Sequence, residues 1–339
     1  MKFNIKSIVF LVILVGTSQL LISQDLSYKA GYFGFFHNQE YFNEYIIPQT
    51  MGGSRIYGQL GVQMNENQSF YAGANYLYEF GSDPGDQQIS PTLYYQFQHK
   101  KLDVFLGSFP RYDIIDMPLI LVTDSMLYYH PNIEGIYLRG KSEWGYHNAW
   151  LDWTSRQTDT RNEEFTLGLS GQFNIGNFFY RHHFVMCHYA GKAIREEVEH
   201  IRDNGGGLVG LGIDLSSNSI FDTLTLYTAW ALSYDQHRGI YDTRFYNGFY
   251  AEFNILYKFI GISNIFYSGE GQLQTIGDKF FTAKTYNRTD IYWKLFKQKW
   301  VKGYVEFGFH IVPGAFDWHQ KFTVKIDMSG LRKIKGYEN

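Results

Sequence analysis

Apolar and polar side chains alternate along most of the chain after residue 24. The segment 164–174 shows the pattern most cleanly, with one apolar and one polar set of alternate positions. The apolar set is Phe165, Leu167, Leu169, Gly171 and Phe173, and the polar set is Glu164, Thr166, Gly168, Ser170, Gln172 and Asn174. Because side chains two residues apart share one face of a strand, one face suits lipid and the other suits water. Each run is about ten residues long, as a tilted strand needs to cross a bilayer.

Counting these runs predicts an all-β chain of about sixteen strands, and losing or merging one pair would leave about fourteen. The predicted strands are 27–36, 54–64, 69–80, 90–98, 102–109, 131–139, 146–154, 163–173, 178–189, 208–216, 224–235, 249–260, 262–268, 290–296, 301–310 and 320–328. The run 262–268 has the weakest pattern. Within the pattern, Phe70, Tyr76, Tyr78 and several tryptophans near predicted strand ends are typical of aromatic belts at membrane interfaces.

The connections between the predicted strands alternate between short and long. Short turns are predicted at 65–68, 98–101, 140–145, 174–177, 216–223, 260–261 and 297–300. Long loops are predicted at 37–53, 81–89, 110–130, 155–162, 190–207, 236–248, 269–289 and 311–319. Short periplasmic turns with long outer loops are typical of bacterial outer-membrane barrels, so both termini are predicted to be periplasmic.

The N-terminus predicts export. Lys2 and Lys6 precede an apolar block at 8–15, and small residues follow it, which is the order of a signal peptide cleaved near Ser23 or Gln24. An uncleaved anchor helix is the alternative. We therefore predict a signal peptide at 1–24, a barrel at 25–330 and a periplasmic tail at 331–339, with the mature protein in the cell outer membrane.

Composition supports dispersed rather than continuous apolar sequence. Hydrophobic residues make up 45% of the chain and aromatic residues 19%, yet the mean hydropathy is −0.28. After residue 24 no apolar run approaches the ~18 residues of a spanning helix. A lone cysteine allows no intrachain disulfide, and the net charge of −3 makes nucleic acid an improbable partner. A secreted β-sandwich is the soluble alternative, but its strands would be shorter, at about five or six residues.

The layout of signal peptide, strands and outer loops resembles that of general porins over the whole mature length. In such porins the third outer loop folds into the lumen and narrows the channel. The chain departs from outer-membrane barrels that end on an aromatic residue, because residues 330–339 follow the last predicted strand.

The loop 110–130 is unusually apolar for an exposed loop. Because of its position, the resemblance implies that it lies inside the barrel and forms a constriction. The predicted constriction residues are Arg111, Asp113, Asp116 and Asp124 on the loop, with Arg55 and Arg181 on the facing wall. Packing on a neighbouring subunit, or an extracellular lid, is the alternative position for this loop.

Strand phase also predicts a mixed, weakly acidic lumen wall. The lumen-facing charges chosen from it are Glu79, Asp152, Glu164, Glu252, Lys258, Lys294 and Glu306. His182, His183 and His188 do not share one strand face, so we predict no metal site there, and no cofactor.

The pattern as a whole favours passive or weakly selective diffusion of small polar solutes, and not an enzyme. The expected partners are outer-membrane lipids, those solutes and the barrel-assembly machinery, with a homo-oligomer possible. The alternatives are an assembly, secretion or surface-polysaccharide barrel and an embedded hydrolase. Candidate hydrolase residues near predicted loop bases are His237, His310, His319, Asp235, Asp242 and Asp317, with no Gly-x-Ser-x-Gly motif beside them.

Overall fold

Sixteen antiparallel strands form one closed barrel in the computed structural model, which describes residues 25–112, 114–194 and 200–332. The strands are β1 Asp25–Glu40, β2 Thr50–Asn65, β3 Gln68–Glu79, β4 Gln88–Gln98, β5 Leu102–Pro110, β6 Asn132–Ser142, β7 Gly145–Ser155, β8 Glu164–Ile175, β9 Phe178–Tyr189, β10 Arg202–Asp214, β11 Thr223–His237, β12 Tyr241–Tyr257, β13 Ile260–Gly269, β14 Thr285–Lys297, β15 Val301–Val312 and β16 Ala315–Arg332. The helical segments are α1 Ser125–Tyr129 and the 3-10 turns Pro84–Asp86, Ser216–Asn218 and Lys279–Thr282. The predicted fold and its strand count are confirmed.

Each strand pairs with its sequence neighbours, and β1 closes the barrel by pairing with β16. The closing register runs from Leu26 opposite Arg332 to Glu40 opposite Trp318. β16 thus continues two residues beyond the predicted barrel end at 330. The predicted signal peptide at 1–24 and the rest of the predicted tail, 333–339, lie outside the described residues.

Burial follows the predicted two-residue period. On β3, the lumenal Tyr71 and Asn75 are buried, whereas Phe70 and Tyr78 are exposed on the outer surface. On β8, Thr166 and Ser170 are likewise buried in the lumen. Among the described residues, no helix has both the length and the apolarity to cross a membrane. Exposed apolar side chains such as Phe70 and Tyr78 give the outer surface of the strands the apolar character that lipid requires.

Two predicted outer loops are wrong. Residues 236–248 and 311–319 are mostly strand, and the hairpins turn at 238–240 and 313–314. Gly239 and Gly314 both have a φ of 82°, in the left-handed region that favours glycine in tight turns. Polar residues made these segments resemble loops, but ladder hydrogen bonds extend strands beyond the apolar band as readily as within it.

The lumen is filled by two outer loops that fold inward. We call residues 111–131 loop L3 and residues 270–284 loop L7. Ile120 and Leu121 of L3 join the buried aromatic cluster that includes Phe109 and Trp150 of the wall. The backbone of Thr123 donates to Ile276 O at 2.8 Å, which ties the loops together. The apolar residues of L3 are thus explained by burial inside the barrel.

Candidate functional site

Buried ionisable side chains gather in the outer half of the lumen. We call this group the lumenal cluster, and it comprises His37, Asp124, Asp278, Arg288, Asp290, Glu306, His310, His319 and Lys321. Strands β1, β14, β15 and β16 supply the wall residues from their lumen-facing phase. L3 and L7 supply Asp124 and Asp278, so wall and loops together build the cluster.

Two cations neutralise the carboxylates of the cluster. Lys321 Nζ lies 2.7 Å from Glu306 Oε1 and 3.0 Å from Asp124 Oδ2. Arg288 Nε lies 2.8 Å from Asp290 Oδ2, and its Nη2 lies 3.3 Å from Glu306 Oε1. Burial alone would raise the pKa of Asp124, but attraction to Lys321 and Arg288 outweighs it and the pKa is lowered. The paired charges therefore hold L3 against the wall.

A chain of hydrogen-bonding side chains runs through the cluster. Glu306 Oε1 lies 3.1 Å from His319 Nε2, and His319 Nδ1 lies 2.7 Å from His310 Nε2. His310 Nδ1 lies 2.6 Å from the hydroxyl oxygen of Tyr286. The His37 ring meets the His319 ring edge to face, and neither of its ring nitrogens has a hydrogen-bond partner among the described residues. Linked imidazoles of this kind can pass a proton between a carboxylate and a phenol.

Gly308 leaves space for the side chains of His319 and Asp290. It lies opposite Asp290 on β14 and His319 on β16. A Cβ at this position would lie 1.9 Å from His319 Cε1 and 2.6 Å from Asp290 Oδ1. Asp290, Glu306 and His319 converge beside this glycine, with ligand atoms within 4.8 Å of one another. Two carboxylates and an imidazole suit a divalent metal, but both carboxylates already pair with Arg288.

The outer loops close the lumenal cluster on its extracellular side. We call residues 41–49 loop L1. Its Tyr41 packs against His310, with ring centroids 5.3 Å apart, and the backbone of Phe42 donates to Asp317 at 2.6 Å. On the inner side, Glu306 and Lys321 line a cavity of about 290 Å³. The imidazoles of His310 and His319 are therefore almost completely shielded from the surroundings of the barrel.

A second polar group lies on the outside of the barrel near the outer rim. We call Asn38, Glu40, Thr50 and Gln320 the rim cluster. Thr50 Oγ1 donates to Asn38 Oδ1 at 2.7 Å, and Asn38 Nδ2 donates to Glu40 Oε1 at 3.0 Å and to Gln320 Oε1 at 2.8 Å. These side chains lie at outward-facing positions of β1, β2 and β16, where most neighbouring side chains are apolar. Exposed Phe42 and Phe316 on the same face mark it as an interfacial region.

The residues predicted to form a constriction lie at several places in the barrel. Arg111 pairs with Asp152, Arg55 donates to the Tyr128 carbonyl oxygen, and Asp124 joins the lumenal cluster. Asp116 is exposed, with Tyr146 as a hydrogen-bond partner at 3.3 Å. Arg181 donates to Gln172 at 2.8 Å on the wall. Asp113 lies outside the described residues.

The other residues predicted on the lumen wall have varied positions. Glu79 accepts from Tyr129 of L3 at 2.6 Å, and Glu252 accepts from Tyr250 at 3.0 Å. Glu164 and Lys294 lie near the ends of β8 and β14. The placement of Lys258 on the wall is wrong, because it lies in the turn between β12 and β13 with a φ of 55°.

The structure brings three of the six hydrolase candidates together. His310, His319 and Asp317 are all fully or almost fully buried beneath L1, whereas Asp235 pairs with Arg202 at 2.8 Å elsewhere on the wall. His237 and Asp242 flank the nearby hairpin turn. The sequence places all six near loop bases, and in the structure they are strand residues towards the outer ends of β11, β12, β15 and β16. Sequence reasoning missed His37, Arg288 and most of the rim cluster, because they fall in the predicted loops 37–53 and 269–289, whereas the structure has them on strands.

Solved structures share the fold. An outer membrane protein of Vibrio cholerae, OmpT lacking loop L8, superposes with a TM-score of 0.54 at 9% identity, covering 90% of this chain and 100% of that chain. Salmonella typhi OmpF in complex with daunomycin gives a TM-score of 0.51 at 10% identity, covering 90% and 97%. No curated protein sequence matches the chain. At these identities the likeness establishes an outer-membrane β-barrel fold alone.

Residues 17–329 match the family described as "Lipid A 3'-O-deacylase-type". This match overturns the expectation that the protein is not an enzyme, because the family is named for an ester-cleaving activity. The strand pattern could not reveal this, since lipid-facing alternation is the same in channels and in enzymes. The match spans nearly the whole barrel, and the chain therefore belongs to the lipid A 3'-O-deacylase-type family.

Proposed function

We propose that the protein hydrolyses an acyl ester of a lipid A-type glycolipid in the outer leaflet of the outer membrane. The family match over residues 17–329 is the observation that carries this proposal. A substrate of this class carries its ester bonds at headgroup depth, so the reacting groups must be reachable from the lipid side of the outer rim.

The rim cluster meets that requirement better than the lumenal cluster does. Thr50 is exposed, and Asn38, Glu40 and Gln320 are partly exposed on the outer surface. His310 and His319, by contrast, are almost completely buried. Since polar side chains on a lipid-facing surface are costly at depth and tolerated near the rim, this group is placed where an ester would lie.

The rim cluster has the groups that ester hydrolysis needs. The Glu40 carboxylate can take a proton from a water molecule while the oxygen of that water attacks the ester carbonyl carbon. The Asn38 amide can exchange its hydrogen bond to Gln320 for one to the carbonyl oxygen as negative charge develops there. The bond between the carbonyl carbon and the ester oxygen then breaks, the oxygen leaves with the sugar as an alkoxide, and Glu40 passes the proton to it. The products are a free fatty acid and a sugar hydroxyl.

Mass spectrometry of lipopolysaccharide incubated with purified protein in detergent tests this proposal. We expect loss of one acyl chain with the wild-type protein and a decrease of about 100-fold or more in rate with Glu40→Gln. Thr154→Val is the matched control, because Thr154 is an exposed residue on β7, away from the rim cluster. It should leave the rate unchanged.

Two results would count against the proposal in different ways. Intact lipopolysaccharide after incubation with folded wild-type protein would overturn the activity. Full activity of Glu40→Gln would retain the activity but exclude the rim cluster as its site. Migration that shifts on heating, in gel electrophoresis, reports folding of every variant.

Passive diffusion of small polar solutes has less support, because L3, L7 and their buried partners occupy much of the lumen. The expected lipid surroundings fit both functions. Insertion by the barrel-assembly machinery and association into a homo-oligomer stay predictions.

A further inference from the structure

The inner half of the lumen contains a second cavity, between L3 and the periplasmic end of the barrel. Its volume is about 380 Å³, within the range of small-molecule pockets, which starts at about 300 Å³. We propose that this cavity binds a small carboxylate that carries an aromatic group. This inference goes beyond the proposed lipid hydrolysis, and it rests on different residues.

Cations dominate the charged side chains of the cavity. Among the described lining residues, Lys29, Arg55, Arg111 and Lys325 stand against one carboxylate, Asp327. Arg111 pairs with Asp152 behind the lining, and Lys325 pairs with Asp327 at 3.1 Å. Lys29 and Arg55 have no carboxylate partner among the described residues. The described lining of the cavity therefore has an excess of positive charge.

Arg55 is a buried cation beside this cavity. Its side chain is 4% exposed, and its Nη2 donates to the carbonyl oxygen of Tyr128. Within the part of the chain that the structure describes, its Nε and Nη1 have no hydrogen-bond partner. A buried guanidinium without a counter-ion is costly, and a carboxylate in the cavity would remove that cost.

Lys29 provides a second uncompensated charge beside the same space. Its Nζ donates to Tyr94 Oη at 3.1 Å and to Gln96 Oε1 at 3.2 Å. It also lies 3.9 Å from the centroid of the Tyr71 ring. All these partners are neutral, so they orient the ammonium group without cancelling its charge.

The rest of the lining suits an aromatic group. Phe33, Tyr94, Phe105, Phe109 and Tyr112 face the cavity. The rings of Phe105 and Phe109 meet edge to face, with centroids 5.6 Å apart. The ring centroids of Phe33 and Tyr112 are also 5.6 Å apart. A bare inorganic anion would leave these rings without a partner, whereas an aromatic carboxylate would contact both rings and cations.

Isothermal titration calorimetry of the detergent-solubilised full chain can test this inference with benzoate, using benzamide as its neutral counterpart and sodium phosphate as a bare anion. We expect wild-type protein to bind benzoate more tightly than either control. Arg55→Gln and Lys29→Gln should each weaken benzoate binding by at least about tenfold. Arg181→Gln is the matched control, because Arg181 is a lumenal arginine outside this cavity, and it should bind as the wild type does.

Several outcomes would overturn the inference. These are no benzoate binding by the wild type, equal binding of benzamide or phosphate, or undiminished binding by both variants. If Arg55→Gln fails to fold, because the contact with L3 is lost, Lys29→Gln decides the question alone. None of these measurements depends on ester hydrolysis, so the two proposals can fail separately.

Discussion

The outer and inner halves of the lumen bury charge in opposite ways. In the outer half, Glu306 and Asp124 share Lys321 as a partner, and carboxylates outnumber cations. In the inner half, Arg55 and Lys29 face an open cavity with no carboxylate partner among the described residues. Buried charges that are paired hold a structure together, and buried charges that lack a partner mark a place for a ligand.

L3 separates the two halves and contacts both. Asp124, immediately before α1, binds Lys321 on the outer side, and the Tyr128 carbonyl oxygen within α1 binds Arg55 on the inner side. Phe33, Tyr112 and Leu127 line the cavities on both sides. The difference between the halves therefore depends on this one loop.

Deleting most of L3 should remove the difference between the two halves of the lumen most completely. Deletion of residues 114–126 would remove Ile120, Leu121 and Asp124 and join the two cavities. We expect a large increase in single-channel conductance in planar bilayers, from a low wild-type value. Deletion of residues 159–160, in a tight turn of the loop between β7 and β8, is the control and should not change it. A folded deletion variant that conducts no better than the wild type would show that L3 is not the barrier.

Loss of the buried cation in the outer half should have the next largest effect. Arg288→Met would leave Asp278, Asp290 and Glu306 with less neutralisation, and breaking a buried pair costs about 3–5 kcal/mol. Urea unfolding in detergent should therefore shift to much lower midpoints. Arg238→Met, which removes a largely exposed cation paired with Asp203, should cost about 1 kcal/mol or less. Equal midpoints for both variants would contradict the structural role of the cluster.

Gly308→Ala should destabilise the barrel by about 1–3 kcal/mol, because its Cβ would collide with His319 and Asp290. Gly58→Ala is the control, since a Cβ there meets nothing within 4 Å. The measurement is again the midpoint of urea unfolding. A midpoint for Gly308→Ala equal to that of Gly58→Ala would show that the imidazole and carboxylate can move apart freely.

The smallest expected effect is a change in acid sensitivity. The folded state lowers the pKa of Asp124, where attraction to Lys321 and Arg288 outweighs burial. Its stabilisation is present above the unfolded pKa of about 3.9 and is lost as the pH falls through the lower folded value. Thermal unfolding should therefore depend less on pH below about 4 in Asp124→Asn than in the wild type. The exposed Asp116→Asn is the control, and an identical acid profile for both variants would refute the role of the pair.

The sequence could predict the strands because, within each strand, apolar side chains at every second residue indicate the face that contacts lipid. Tyr71 faces inward and Phe70 outward as their positions on β3 require. The hairpin at 313–314 could also have been predicted from the sequence, because Pro313-Gly314 is a turn signal. Placing the turn there would have set Glu306 opposite Lys321, as the structure has them.

The candidate sites were harder to predict because they join distant segments. Asp124 and Lys321 are 197 residues apart, and no local pattern sets that distance. The rim cluster depends on barrel closure, which brings Gln320 beside Asn38. Amide and hydroxyl side chains at strand ends are common in any barrel, so their types alone gave no signal.

The link between L3 and L7 also has a consequence for folding kinetics. Asp278 N donates to Leu119 O at 2.9 Å, and half of the barrel strands, β6 to β13, lie between these two residues along the chain. Contacts between segments so far apart form slowly, because the entropy of closing a long loop is lost before they contribute. β1 meanwhile has an unpaired edge until β16 arrives. The nascent chain should therefore spend a long period open and prone to aggregation, and its interior should consolidate only after the last strand has been delivered.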